Sequence, residues 1–210
     1  KNNLKTMRNL MKKIILLSLL LLSSTAIAKL NFVTTTHAGQ WKLNNEASAL
    51  NFITIKNASK TEVQTFKTLQ GKISGTQVTV SVDLSSVDTG IEVRDERLKT
   101  MFFNIAKFPE ATVSIVLHKT DLGHMKPGQR KILKLDADIT LQDTTQTVPV
   151  ELQVIALAKN QLLVVSNVPV IVDLKDFYLL KGVNALREIA KLQSINAAVP
   201  ITFSLLFTHQ

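Results

Sequence analysis

From Lys131 to Leu141 the chain alternates between two kinds of residue. Leu133, Leu135, Ala137, Ile139 and Leu141 take one side, and Lys134, Asp136, Asp138 and Thr140 take the other. Successive side chains of an extended strand point to opposite faces, so this segment predicts a strand with one apolar and one wet face. That pattern belongs to antiparallel sheets, whose outer face meets water. Gln77–Leu84 repeats it, with Val78, Val80, Val82 and Leu84 opposite Thr79, Ser81 and Asp83. Thr112–His118 places Val113, Ile115 and Leu117 together, and Val148–Leu157 does the same with Val150, Leu152 and Val154. Leu50–Ile55, Leu162–Val172 and Val199–Phe207 are further strand-like runs rich in branched residues.

Short turn signals separate the runs: Asp121-Leu122-Gly123, Lys126-Pro127-Gly128, Gln142-Asp143-Thr144 and Lys159-Asn160. Most connections are too short for the helices that a parallel sheet requires. The fold class is therefore all-β, an antiparallel barrel or sandwich. Two helical patches interrupt it. One spans Ile91 to Phe103, with Thr89 and Glu92 at capping-box spacing. The other spans Ala185 to Leu192, with Asn184 as the expected N-cap.

Residues 1–28 read as a secretory signal segment. Lys12 and Lys13 precede an apolar run from Ile14 to Leu22, and Ala26-Ile27-Ala28 is a small-x-small cleavage site. The run falls short of the about 20 apolar residues that span a bilayer. The expected mature domain is 29–210, in the periplasm of a Gram-negative cell or secreted. Removing the segment's five basic residues leaves 20 Lys and Arg against 16 Asp and Glu, so the formal charge falls from +9 to +4. The remaining basic residues are interleaved with acids, which argues against a nucleic-acid footprint. There is no cysteine, hence no disulfide, thiol nucleophile, Cys-bound metal or lipidated cysteine.

Little in the sequence points to catalysis. His37, His118, His124 and His209 show no metal-ligand spacing, and no nucleophile elbow or phosphate loop is present. No metal and no obligatory cofactor are expected. The strongest polar cluster is Arg94-Asp95-Glu96-Arg97. One of its arginines could face a ligand headgroup; the plainer reading is a solvated helix face with one structural salt bridge. Phe102, Phe103 and Phe108 crowd around the first helix, and Phe52 and Phe66 lie on earlier segments. These rings could close the mouth of an apolar pocket or fill one end of a barrel, and the sequence leaves both open.

The order of these features resembles the YceI-like family of bacterial periplasmic polyisoprenoid-binding proteins. The resemblance rests on Val82-Asp83-Leu84-Ser85-Ser86-Val87-Asp88-Thr89-Gly90, on Arg94-Asp95-Glu96-Arg97-Leu98, and on Phe103-Asn104-Ile105-Ala106-Lys107-Phe108-Pro109. Trp41-Lys42-Leu43, Ser48-Ala49-Leu50-Asn51-Phe52 and the pair Asp138-Ile139-Thr140-Leu141 and Val148-Pro149-Val150 extend it across the mature chain. Two departures stand out. Gln142-Asp143-Thr144 replaces the family's His-Gly hairpin, and Gln64-Thr65-Phe66 lacks its glycine.

The resemblance implies a lipocalin-like antiparallel β-barrel of about eight strands, with one or two short helices, around an apolar channel. It also implies an isoprenoid ligand, either an isoprenoid quinone or a polyprenol. The candidate ligand-contacting residues are Phe52, Val80, Val82 and Leu84 on early strands, Phe102, Phe103 and Phe108 around the helix, and Leu135 and Ile139 on the later strand. Arg94 and Arg97 are the candidates for a headgroup. The expected function is periplasmic binding or transport of that lipid, without enzymatic activity. The alternative is a filled barrel serving as a stress-response or protein-interaction module. Transient membrane contact and a homodimer stay open.

Overall fold

The computed structural model describes residues 40–210 except His124 and Lys159. The expected signal segment, His37, His124 and the turn residue Lys159 lie outside the described residues. The strands are β1 (Trp41–Lys56), β2 (Lys60–Phe66), β3 (Leu69–Ser74), β4 (Gln77–Asp83), β5 (Val87–Asp88), β6 (Glu110–Val116), β7 (Arg130–Leu141), β8 (Thr144–Ala158), β9 (Gln161–Ser166), β10 (Val170–Asp173) and β11 (Ala198–His209). The helices are α1 (Glu92–Arg97), α2 (Lys119–Leu122) and α3 (Leu180–Ile189).

Pairing runs β1-β3-β4-β6-β7-β8-β9-β11 and returns to β1, so eight antiparallel strands close a barrel. Closure removes the free edges that would otherwise template association. The all-β barrel expected from the alternation is therefore what forms. β2 and β5 extend the β1 side, and β10 continues the β9 ladder along β11. The run expected as one strand over Leu162–Val172 is thus two, broken at Asn167–Pro169. Proline has no N–H to give the ladder, so pairing lapses there.

β1 is much longer than the expected Leu50–Ile55, because one strand serves two neighbours. Its first residues pair with β3 and its second half with β2. The register against β11 shifts between Asn44 and Ala49. Asn45 sits in this bulge and bridges the β2–β3 junction. Its Nδ2 donates to the Lys67 carbonyl at 3.1 Å, and its Oδ1 accepts from the Leu69 N–H at 2.6 Å. Leu69 is buried, so that N–H has no ready water. Asn45→Ala is expected to lower stability by roughly 1 to 2 kcal/mol through the orphaned donor. Urea unfolding checks this; an unchanged midpoint would count against the bridging role.

Two helix expectations need correction. The first helix is α over Glu92–Arg97 and then widens into a π-type turn over Leu98–Phe103, a distortion common at functional sites. Its start is not held by a Thr89–Glu92 capping box. Instead Thr89 donates to Asp95 Oδ1 from its N–H at 2.9 Å and from its hydroxyl at 2.6 Å. The second helix begins at Leu180, not Ala185, and Asn184 lies inside it. Gly182 explains the early start. A Cβ there would meet Phe102 Cδ2 at 2.9 Å, so only glycine lets the helix lie against that ring. Tertiary contact overrides two poor helix formers.

Candidate functional site

The inward faces of the eight barrel strands enclose a cavity of about 260 Å³. That volume is near the lower end for small-molecule sites. The wall takes in Val78, Val80 and Val82 of β4, Leu84 just past its end, and Leu133, Ala137, Ile139 and Leu141 of β7, so the cavity follows the length of these strands. Among the described residues only Thr54 and Asn196 in this wall are polar. The interior is therefore hollow, not filled, and the alternation read from the sequence is what keeps charge out of it.

One end is closed by helices and rings. Phe52 and Phe66 lie 5.1 Å apart, Phe66 and Phe103 5.8 Å, and Phe103 and Phe102 4.9 Å between centroids. Such tilted and edge-on contacts suit aromatic quadrupoles. Gln142, at the hairpin turn with φ 57°, donates from Nε2 to the Phe102 carbonyl at 2.8 Å. The hairpin that departs from the family pattern thus ties down the end of the π-type turn. At the opposite end Leu122 of α2 meets the cavity, and Lys131 Nζ holds that turn by donating to the Thr120 and Asp121 carbonyls at 3.2 and 3.1 Å.

The inward face of the β1–β2 hairpin changes character along its length. Diagonal cross-strand neighbours are Phe52 with Phe66, then Thr54 with Gln64, then Lys56 with Glu62. Gln64, buried, donates from Nε2 to Thr54 Oγ1 at 3.1 Å. Beyond it Glu62 Oε2 receives Lys56 and, at 2.6 Å, Arg94 Nη1, while Oε1 faces Lys60 at 3.1 Å. The hydrogen bond from Lys56, helped by Lys60 and the Arg94 charge against partial burial, lowers the Glu62 pKa from 4.5 to about 2. A carboxyl depressed on folding stabilises fully above its unfolded value, and that contribution is lost as pH falls through its folded value. The ion cluster is therefore expected to weaken as pH falls from about 4.5 to about 2. Glu62→Gln should flatten the dependence of melting temperature on pH across that window, and melts of both proteins test it.

The structure brings Phe52, Val80, Val82, Leu84, Phe102, Phe103 and Ile139 into the cavity wall. It places four other candidates elsewhere. Leu135 shares the inward face of β7 but sits where β6 and β7 diverge: their pairing ends at Ile115–Ala137, and Leu135 borders an outer hollow. Phe108 is half-buried outside the wall, with Lys107 Nζ 4.7 Å from its ring. Arg94 is engaged by Glu62, and Arg97 is half-buried outside the wall. The plainer reading of the arginine cluster, one structural salt bridge on a helix face, matches Arg94. Sequence reasoning missed Thr54 and Asn196 of the wall and the buried Gln64 that donates to Thr54, because β1, β2 and the segment before β11 meet only in the assembled barrel. Among the described residues no group of His, Asp and Glu comes together to hold a metal ion.

A closed antiparallel barrel around an apolar cavity, with helices across one end, is the architecture of ligand-enclosing barrels. The chain belongs to the YceI-like domain family, which matches residues 41–207. Its fold is similar to that of a polyisoprenoid binding domain from Saccharophagus degradans implicated in plant cell wall breakdown. That match has 28% identity and a TM-score of 0.79, covering 81% of this chain and 98% of that one. BcnA of Burkholderia cenocepacia shares the fold at 16% identity and TM-score 0.58, covering 78% and 98% of the two chains. The Campylobacter jejuni YCEI protein does so at 13% and 0.52, covering 70% and 84%. No curated protein matches the sequence.

Proposed function

We propose that this protein binds and carries an isoprenoid lipid inside the barrel, and is a binder and not an enzyme. The cavity wall carries the reading: it follows the length of β4 and β7 and is apolar except at Thr54 and Asn196. Each Å² of apolar surface transferred into such a wall contributes about 25 cal/mol. A polyisoprene tail suits it, being long, flexible, methyl-branched and free of polar groups. The polyisoprenoid binding of the Saccharophagus degradans domain supports the same ligand class. In this proposal residues 1–28 are a cleaved secretory signal, and residues 29–210 work in the periplasm, moving a polyprenol or isoprenoid quinone between membrane surfaces.

The test is to express the full chain in a Gram-negative host and purify it from the periplasmic fraction. Native mass spectrometry and solvent extraction then show what it holds. One isoprenoid per protein, with a mature N-terminus near Lys29, supports the proposal. Protein retained in the cytoplasm would sink the location. Protein that stays empty when offered polyprenols and isoprenoid quinones would sink the ligand class.

A further inference from the structure

We propose, building on the lipid-carrier reading above, that the α2 end of the barrel is a docking surface for an anionic phospholipid bilayer. Basic and acidic residues are interleaved along the sequence, but closure of the barrel sorts them. Strand register brings one set of strand ends to a common rim: Trp41 lies opposite His209, Thr208 opposite Gln161, Ser74 opposite Gln77 and Gln77 opposite Val116. Exposed Lys42, Lys72, Lys119, Lys126 and Arg130 stand on this rim. Among the described residues none of the five is in an ion pair. Asp121 is the acid here, and its Oδ2 already accepts from the His118 N–H at 2.7 Å. The opposite end differs: Glu62 holds Lys56, Lys60 and Arg94, and Glu96 holds Lys99.

Lys42 and Lys72 carry the reading furthest. They are direct cross-strand partners. Both point outward, since Leu43 and Ile73 beside them are buried. Like charges directly opposite each other repel and cost stability, and an anionic surface offsets that repulsion. Apolar side chains among the cations favour a bilayer over a soluble polyanion. Leu157, 47% exposed, stands at the bulge between Ala156 and Ala158, and Val116 is 67% exposed at the end of β6. Trp41, the single tryptophan, is half-buried at the same rim, its ring centroid 5.0 Å from that of His209. Tryptophan favours the membrane–water interface. The cavity adjoins this rim. Leu122 of α2 lines it, the β6–β7 ladder stops at Ile115–Ala137, and Val150 borders both the cavity and an outer hollow.

Phosphatidylcholine vesicles with and without phosphatidylglycerol test the surface, by co-sedimentation and by Trp41 emission. Binding is expected only with phosphatidylglycerol, with a blue shift of Trp41. It should be released near 1 M salt, where the screening length falls to about 3 Å. Lys42→Gln with Lys72→Gln should weaken vesicle binding about twenty-fivefold, about fivefold for each basic residue at the surface. The same variant should melt no earlier than wild type, because a repulsion is relieved, so its loss of binding is not unfolding. Lys181→Gln with Lys191→Gln removes the same charge at the opposite end and should bind as wild type does. Leu157→Ser should weaken vesicle binding several-fold and leave retention on heparin unchanged. Equal losses in the two double variants, or binding that leaves Trp41 emission unmoved, would overturn the inference. So would a protein that binds heparin through this rim and ignores anionic vesicles. The vesicles hold no isoprenoid, so docking is read apart from cargo: a protein that docks but never holds an isoprenoid keeps the surface and loses the carrier reading.

Discussion

Ala137→Phe is expected to empty the barrel of lipid without unfolding it. Ala137 is 1% exposed, lies opposite Ile115 on β6 and Val148 on β8, and lines the cavity. A phenyl ring at this small side chain projects into the space a tail would occupy. In a hollow barrel that ring meets empty volume, and filling a cavity adds about 0.5 to 2 kcal/mol of stability. In a packed interior the same change is overpacking and costs about 1 to 3 kcal/mol. The two measurements therefore move in opposite senses. Melting temperature should hold or rise, while lipid recovered per protein should fall by about tenfold or more, a loss of about 1.4 kcal/mol or greater in binding. A variant that still co-purifies with a full complement of lipid would show that the tail does not occupy this cavity. A variant that melts early would show that the interior lacks the room assigned to it.

Gly182→Leu is expected to cost about 2 to 3 kcal/mol, the upper part of the range for overpacked sites. The reason is the contact between α3 and Phe102, where even a Cβ would lie 2.9 Å from the ring. The milder Gly182→Ala makes the sign informative. In an unhindered helix interior, replacing glycine by alanine stabilises by about 0.8 to 1 kcal/mol. Here it should destabilise, because the Phe102 ring is buried and braced edge-on by Phe103. Its way out is toward the cavity it lines, so the substitution should also narrow the site and weaken lipid retention. Combining Gly182→Leu with Phe102→Ala should recover part of the loss, a non-additivity expected of residues in contact. Strict additivity in chemical unfolding, or a stabilised Gly182→Ala, would contradict the close approach.

How far the sequence reached depends on the kind of signal each element carries. β4, β6, β7 and β8 were legible because burying one face of a sheet imposes a period of two. The same parity put Val80, Val82, Leu84 and Ile139 on the inward face, where the structure has them. β3 and β5 were not legible: Leu69–Ser74 and Val87–Asp88 are short, and β3 includes Gly71. Gly71 is there because Leu43 and the Thr79 carbonyl come within 3.2 Å of where a Cβ would be. That is a packing reason with no local pattern. Leu135 has the right parity and still misses the cavity wall. Parity fixes a face, but where β6 parts from β7 depends on the closed barrel.

The few polar residues around the cavity show the boundary most clearly. Thr54, Gln64 and Asn196 belong to three segments, the last more than a hundred residues from the others. Their placement has no periodic sequence signature, because it is set by strand register and a loop anchor. By itself the sequence determined the all-β class, the inward face of the regular strands, the absence of cysteine chemistry and a resemblance that led to the right family. Those follow from local alternation, composition and the order of short motifs. Only the tertiary structure decided that the barrel is hollow, that Arg94 answers to Glu62, that Gly182 admits Phe102, and that Gln64 is buried against Thr54. Each of those depends on how separate elements pack around the closed sheet, which no local pattern encodes.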